Sequence, residues 1–218
     1  MEIHKPKPWH GFREFLKEYL IIVIGVLTAL GGEQLAERAH RGSEIREARE
    51  ALHAELAVDT STADFVLLEV DCLAQQLDAF DAWAKGGTRP GDLRTQLPTY
   101  ASSAWDVVKT GAVPHMQLKE RLAYSSYYDT VENARYAIET TRNIYTRLNG
   151  LHQLDALGPE EARRLIEEIG QARVMGRVRK ANATRLVDGA KALGVEPDHF
   201  SPNSKANLSR VCGRPIAG

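Results

Sequence analysis

The chain has few cysteines and lacks the residue patterns that build metal or redox centres. Only two cysteines, Cys72 and Cys212, occur in its 218 residues, and they form no CxxC pair. None of the seven histidines lies three or four residues from another histidine or from a cysteine. The HExxH, Walker A, GxGxxG and GxSxG motifs are also absent. We therefore expect no metal site, no cofactor and no enzymatic activity.

An excess of basic charge is lacking as well. The 28 lysines and arginines nearly balance the 29 aspartates and glutamates, which gives a net charge of −1. Domains that bind nucleic acid carry a basic face or a high isoelectric point. We therefore expect no nucleic-acid partner, and the chain length suits a single domain beside any membrane segment.

One uncharged apolar run, residues 19–32, stands out from the rest of the sequence. As a helix it would be about 21 Å long, and the wider window 15–35 would reach about 31 Å. That length matches the hydrocarbon core of a bilayer, which is about 30 Å thick. The charged residues Lys17, Glu18 and Glu33 fall near the ends of the window. The run therefore predicts a transmembrane helix.

Five residues are expected at the edges of the membrane: Trp9, Lys17, Tyr19, Glu33 and Gln34. The aromatic rings of Trp9 and Tyr19 suit the interface, and Lys17 can extend its ammonium group to the headgroups. Glu33 and Gln34 would meet the headgroup region. Alternatively, they would join helices across an oligomer interface.

Two other interpretations of the run remain open. It would also suit a buried core helix, or a signal peptide cleaved near residues 29–31. Lysines and arginines are balanced on its two sides, so the positive-inside rule does not decide the orientation. The short basic N-terminal segment favours a cytoplasmic N-terminus. We therefore expect a single-pass protein of the bacterial inner membrane with a periplasmic C-terminal domain.

Helical periodicity dominates the remainder of the chain. Apolar residues recur at spacings of three and four in the ranges 33–85, 115–154 and 158–193, and Gly86-Gly87 ends the first range. The pattern predicts an all-α fold in which the transmembrane helix continues into a long helix. An antiparallel, coiled-coil-like bundle of about three long helices plus one short helix at 102–110 follows from the same pattern. The expected organisation is a basic N-terminal stub at 1–18, a transmembrane helix at 19–35, a helical bundle domain at 36–196 and an irregular C-terminal tail at 197–218. Within the tail, at most one helical turn is expected, near 204–211.

A group of aromatic residues is the strongest candidate for a ligand or interaction surface. The group consists of Trp105, His115, Tyr124, Tyr127 and Tyr128. A tryptophan on a short helix, followed by glycine and proline, would form a lid over the bundle, and the tyrosines would line an apolar cavity beneath it. The alternative is a plug of core side chains packed under a loop.

The acidic residues of the first long helix are expected to be mostly solvated. They include Asp59, Asp64, Asp71 and Asp78. A carboxylate that takes part in acid–base catalysis needs an apolar pocket and a perturbed pKa. Periodicity alone gives no sign of such a pocket.

The two cysteines allow two interpretations. In an extracytoplasmic domain, Cys72 and Cys212 would form one disulfide that closes a loop of about 140 residues. In a cytoplasmic domain they would be two buried free thiols.

Several short segments resemble a group of uncharacterised bacterial proteins that have one N-terminal transmembrane helix and a helical extracytoplasmic domain. The segments lie at 7–10, 13–18, 25–34, 71–77, 103–113 and 211–213. The resemblance implies this architecture and no particular activity. It also favours pairing of Cys72 with Cys212.

These observations predict a non-enzymatic, single-span, membrane-anchored helical protein. Its expected partners are the lipid bilayer and either a protein partner or further copies of the same chain. The alternative is a small-molecule sensor or binding domain that acts through a separate output partner.

Overall fold

The computed structural model describes residues 11–197 and 202–213. Every regular element among these residues is a helix, which confirms the predicted all-α fold. The helices are α1 (Phe12–Ala84), α2 (Ser103–Val108), α3 (Leu118–His152), α4 (Pro159–Ala192) and α5 (Pro202–Cys212), with a 3-10 helix at Val113–His115.

The chain divides into two compact units, Met1–Glu47 and Ala48–Gly218. The described part of the first unit contains the beginning of α1. An 18-residue window near the N-terminus of this helix has a mean hydropathy of 1.7, and none of it is buried. By length and composition, this helix is the one among the described residues that could cross a membrane.

The predicted membrane-edge residues all belong to this first unit. Lys17, Tyr19, Glu33 and Gln34 are exposed on α1. Trp9 lies outside the described residues, as does the rest of the range 1–10. The helix begins at Phe12, within the range expected to be a basic stub.

Two of the long helices of the second unit form a hairpin. Gly158 precedes α4, and Pro159 occupies its first turn, where the missing N–H of proline costs no helical hydrogen bond. The connection from α3 to α4 is short. The two helices are joined near it by a hydrogen bond from Arg147 Nε of α3 to Glu168 Oε1 of α4 at 2.6 Å. The helices α3 and α4 therefore run antiparallel.

Polar pairs along α1 define its direction in the bundle. Asp71 pairs with Lys180 of α4, and Asp78 pairs with Arg173, so residue numbers rise on α1 as they fall on α4. Against α3 the numbers rise together, because Arg49 pairs with Glu120 and, farther along, Glu55 pairs with Tyr128. Thus α4 is antiparallel to both neighbours, while α1 and α3 are parallel.

A long crossover, residues 85–117, makes the parallel pair geometrically feasible because it returns the chain along the bundle. Gly86 has φ +93°, a left-handed conformation that suits glycine at a helix C-terminus. A Cβ at Gly87 would lie 2.8 Å from the carbonyl oxygen of Ala82. These two glycines end α1 at Ala84, as the sequence predicts.

The core lies between α1, α3 and α4, on the predicted apolar faces. Burial of one large apolar side chain contributes about 1.5–3 kcal/mol. One cluster of buried residues includes Leu73, Leu77, Phe80, Trp83, Ile144, Leu148, Leu165 and Ile169.

The C-terminal segment differs from its expected irregular structure. The sequence predicts an irregular tail at 197–218, whereas α5 covers eleven of these residues. A helix this short is marginal in isolation. It is stabilised here because Leu208 and Val211 are buried and because Cys72 and Cys212 form a disulfide, with Cα atoms 5.0 Å apart. The disulfide prediction is thereby confirmed.

Candidate functional site

The predicted aromatic group lies around α2 and the first half of α3. The Trp105 ring stacks on Tyr128, with centroids 4.7 Å apart, and Tyr127 contacts Tyr128 edge to face at 5.4 Å. Tyr124 lies 6.4 Å from the ring of His53. The three tyrosines are buried and Trp105 is half-buried. His115, by contrast, is exposed in the 3-10 helix.

Glu55 of α1 joins part of this group to α2. Its Oε1 accepts a hydrogen bond from the Tyr128 hydroxyl at 2.7 Å. Its Oε2 accepts from Ser103 Oγ at 2.9 Å and from the backbone N–H of Ala104 at 2.8 Å. The carboxylate therefore satisfies free N–H groups in the first turn of α2, where negative charge is favourable. Of the five predicted residues, Trp105 and Tyr128 therefore contact this carboxylate.

Asp59 corrects the expectation of a solvated acidic face. Its side chain is 1% exposed, although Asp71 and Asp78 are exposed as expected. The sequence contained a signal for this burial, since position 59 lies three and seven residues after Leu56 and Leu52. It therefore falls on the apolar face of α1.

One oxygen of Asp59 is partnered and the other is not. Oδ1 accepts a hydrogen bond from the Ala101 N–H at 2.7 Å. Oδ2 has no hydrogen-bond partner among the described residues. Burial raises the pKa of Asp59 to about 7, because removal from water penalises the charged form. The carboxylic acid is therefore favoured below neutral pH.

Further polar side chains of α1 hold the crossover in place. Glu69 Oε1 accepts from the Gln96 N–H at 2.7 Å and from Thr95 Oγ1 at 3.1 Å. Gln76 accepts from the Arg94 N–H at 2.8 Å and donates to the Arg94 carbonyl at 3.0 Å. The irregular segment is therefore ordered by side chains that replace the hydrogen bonds of regular structure.

Helix α3 contributes two more attachments to the crossover. Arg135 donates to the Tyr100 carbonyl oxygen from Nη2 at 2.7 Å and from Nε at 3.0 Å. A ring nitrogen of His152 lies 2.9 Å from the Pro90 carbonyl oxygen. These contacts have a structural role, because their acceptors are backbone groups that need partners.

The feature best suited to hold a ligand is a groove between α1 and α4, which we call the α1–α4 groove. Its cavity volume is about 300 Å³. None of the five predicted aromatic residues lines it. Its apolar lining consists of Val70, Leu73, Ala74, Leu77, Tyr145 and Ala172.

Four cations of α4 line this groove. Arg179 is buried in an ion pair with Glu69, and the other three lie nearer to solvent: Arg173, Arg177 and Lys180. Arg173 donates to Asp78 Oδ1 at 2.7 Å, and Lys180 donates to Asp71 Oδ1 at 2.9 Å. Between them in sequence, Arg177 has no acidic partner within the described part of the chain. The spacing of four and three residues places the three cations on one helical face.

A small residue keeps the groove open. Gly176 lines it, and a Cβ added there would lie 3.7 Å from Val70 Cγ1. The sequence analysis did not predict this groove. The available signal for the groove was the spacing of Arg173, Arg177 and Lys180 at i, i+4 and i+7 beside Gly176.

Comparison with protein-family models, with curated proteins and with solved structures finds no match for this chain. Within 11–197 and 202–213, no three or more His, Cys, Asp or Glu side chains are grouped so as to hold a metal ion.

Proposed function

We propose that this protein is a non-enzymatic, single-span, membrane-anchored helical protein that binds a protein partner or assembles with itself at the bacterial envelope. The exposure of the apolar part of α1 is the observation that carries the proposal. An apolar helix in the core of a soluble domain would be buried by its neighbours. Exposed side chains such as Ile21, Ile22 and Leu27 instead suit contact with lipid.

The bundle unit also carries exposed apolar side chains, which supports a role in association. Val107 is 78% exposed, and Leu118 and Leu122 are 61% and 60% exposed. Leu118 and Leu122 lie four residues apart and therefore on one face of α3. We propose that this pair of leucines belongs to the surface that contacts another protein.

The disulfide supports the orientation that we propose. Structural disulfides persist in oxidising compartments such as the bacterial periplasm and are rare in the cytosol. We therefore place the C-terminal domain in the periplasm and the N-terminus in the cytoplasm, in the inner membrane of a bacterium.

Alkaline carbonate extraction of membranes tests the anchor. We expect the full chain to stay in the membrane pellet. The variant Ile24→Arg/Leu27→Arg should be released, because an arginine at the centre of a span costs about 2.5–3.5 kcal/mol. The matched control is Val58→Arg/Leu68→Arg, which places two arginines at exposed positions of the bundle unit. Release of the unmodified chain from the membranes by carbonate would contradict the proposal. So would an intact protein mass that lacks about the first 30 residues, because that mass would indicate a cleaved signal peptide.

Labelling of thiols with a heavy maleimide tests the orientation. Membranes from intact cells are denatured and labelled, with and without prior reduction. Thiols that react only after reduction support a periplasmic domain. Thiols that react without reduction indicate a cytoplasmic domain and contradict the orientation.

A photo-crosslinking amino acid at position 122 tests association, with position 132, also exposed on α3, as the control. The crosslinks are formed in membranes that contain the full chain. A product of twice the chain mass at 122 but not at 132 supports self-assembly, and a product with one other protein supports a partner. Equal products at both positions, or none, would contradict the proposed surface.

The α1–α4 groove favours the second candidate function, a small-molecule sensor or binding domain. Its volume of about 300 Å³ reaches the lower end of the range for small-molecule pockets. Any output would pass through a separate partner.

A further inference from the structure

We propose that the α1–α4 groove binds a single-chain amphiphilic anion, such as the carboxylate of a fatty acid. The hydrocarbon chain would lie on the apolar lining, and the carboxylate would bind Arg177. This inference rests on the second candidate function, the binding of a small molecule in this groove, and names the class of ligand. It requires no membrane anchor, no association and no particular orientation.

The lining of the groove suits a hydrocarbon chain. Leu73 and Leu77 of α1, Tyr145 of α3 and Ala172 of α4 contribute apolar surface from three helices. Transfer of apolar area from water to such a surface is favourable. The groove is therefore favourable for an unbranched aliphatic chain along the helices.

The charges of the groove favour an anionic headgroup. Arg173 and Lys180 are compensated by Asp78 and Asp71 in ion pairs between α1 and α4. Arg177 contributes a positive charge without such compensation within the described residues. A guanidinium group presents a planar set of donors that matches a carboxylate with two parallel hydrogen bonds. Arg177 is therefore the residue that would fix the head of the ligand.

The size of the groove favours one chain over two. About 300 Å³ lies at the bottom of the range of small-molecule pockets, which extends to about 1,000 Å³. A membrane phospholipid with two long acyl chains exceeds this volume. We therefore assign the groove to a single-chain anion, and binding of an anionic phospholipid is an outcome that would contradict the assignment.

Photoaffinity labelling of the full chain tests the proposal. The protein is reconstituted in nanodiscs of zwitterionic phosphatidylcholine, and the probe is dodecanoate with a diazirine on its chain. Labelled peptides are mapped by mass spectrometry. We expect saturable labelling within 70–77 and 172–180, and competition by unlabelled dodecanoate but not by dodecyltrimethylammonium or by an anionic phospholipid.

Two variants test separately the positive charge of Arg177 and the free volume of the groove. Each has a matched control on α4. Arg177→Gln should raise the half-saturating probe concentration at least about tenfold, because a hydrogen bond to a charged group is lost. Arg185→Gln removes an exposed cation outside the groove and should leave it unchanged. Gly176→Leu should fill the groove and abolish labelling, whereas Gly170→Leu places the same side chain in open space.

Folding of each variant is checked by its thermal melt. Because Arg177→Gln changes an exposed side chain, the proposal stays testable even if Gly176→Leu unfolds the bundle. Three results would each overturn the proposal. They are equal half-saturating probe concentrations for Arg177→Gln and Arg185→Gln, labelled peptides confined to residues 12–47, and competition by dodecyltrimethylammonium equal to that by dodecanoate. If carbonate extraction shows that the chain has no membrane anchor, the same labelling is done in solution, so the two proposals fail separately.

Discussion

Glu69 and Arg179 form an ion pair in the interior of the bundle, with Arg179 Nη2 donating to Glu69 Oε2 at 2.6 Å. Their side chains are 0% and 2% exposed. The other oxygen of Glu69 binds the crossover through Gln96 and Thr95. One buried carboxylate therefore joins α1 and α4 and also orders the irregular segment. Since removing charges from water is costly, each member of the pair depends on the other.

Replacement of one member of this pair should be strongly destabilising. We expect Arg179→Met to lower the free energy of unfolding by about 3–5 kcal/mol, because Glu69 is left buried without its cation. The double variant Glu69→Gln/Arg179→Met should recover part of this loss. Its glutamine amide keeps an acceptor for the Gln96 N–H and carries no charge. Denaturant unfolding of the full chain in detergent, followed by near-UV circular dichroism, measures both. A double variant less stable than Arg179→Met would contradict this explanation.

Asp59 should make stability depend on pH. Its pKa rises from 3.8 to about 7 on folding, so the folded state binds a proton that the unfolded state has released. This contribution to the free energy of unfolding is fully present below about pH 4. It is lost as the pH rises through about 7, and the total loss is about 4 kcal/mol at most. Burial is the main cause of the raised pKa of Asp59; the negative charge of Glu55 raises this pKa further, and the positive charge of Arg135 lowers it.

The variant Asp59→Asn isolates this contribution. Asparagine keeps an acceptor for the Ala101 N–H but does not titrate. Unfolding free energies of both proteins are measured between pH 4 and pH 8. We expect the variant to gain stability relative to the unmodified protein as the pH rises. Parallel pH profiles would show that Asp59 is ionised in the fold across this range.

Loss of the disulfide should destabilise the bundle unit. The bond joins residues separated by 140 positions, for which the chain-entropy estimate is about 5 kcal/mol. We expect Cys72→Ala/Cys212→Ala to melt at a lower temperature than the oxidised protein. Reductant should lower the melting temperature of the unmodified chain and leave that of the variant unchanged. Identical melts of the variant and the oxidised protein would indicate that burial of Leu208 and Val211 suffices to hold α5.

Glu55 should control the order of α2. Glu55→Ala removes the acceptor for the Tyr128 hydroxyl and for the first N–H groups of the helix. We expect a loss of about 2–4 kcal/mol, since buried donors lose their partner. Hydrogen exchange should accelerate in residues 101–108. Glu50→Ala, an exposed position on the same helix, is the control. Unchanged exchange in 101–108 would show that the stacking of Trp105 alone holds α2.

The three long helices were predictable because local features determine them. The apolar spacing of three and four fixes the faces of α1, α3 and α4. Gly86 ends α1, and Pro159 begins α4. The two cysteines allowed a pairing but did not decide it. That decision depended on the approach of α5 to α1 in space.

The sequence by itself therefore determined the helical class, the apolar N-terminal run, the C-terminal end of α1 and the start of α4, since these depend on periodicity and on the backbone preferences of glycine and proline. Only the tertiary structure decided the parallel course of α1 and α3, the burial of Asp59 and the α1–α4 groove. Each of these depends on residues far apart in the chain. The crossover illustrates the reason: it has little local preference for any structure, and it is ordered by side chains such as Glu69 and Arg135 that reach it from other helices.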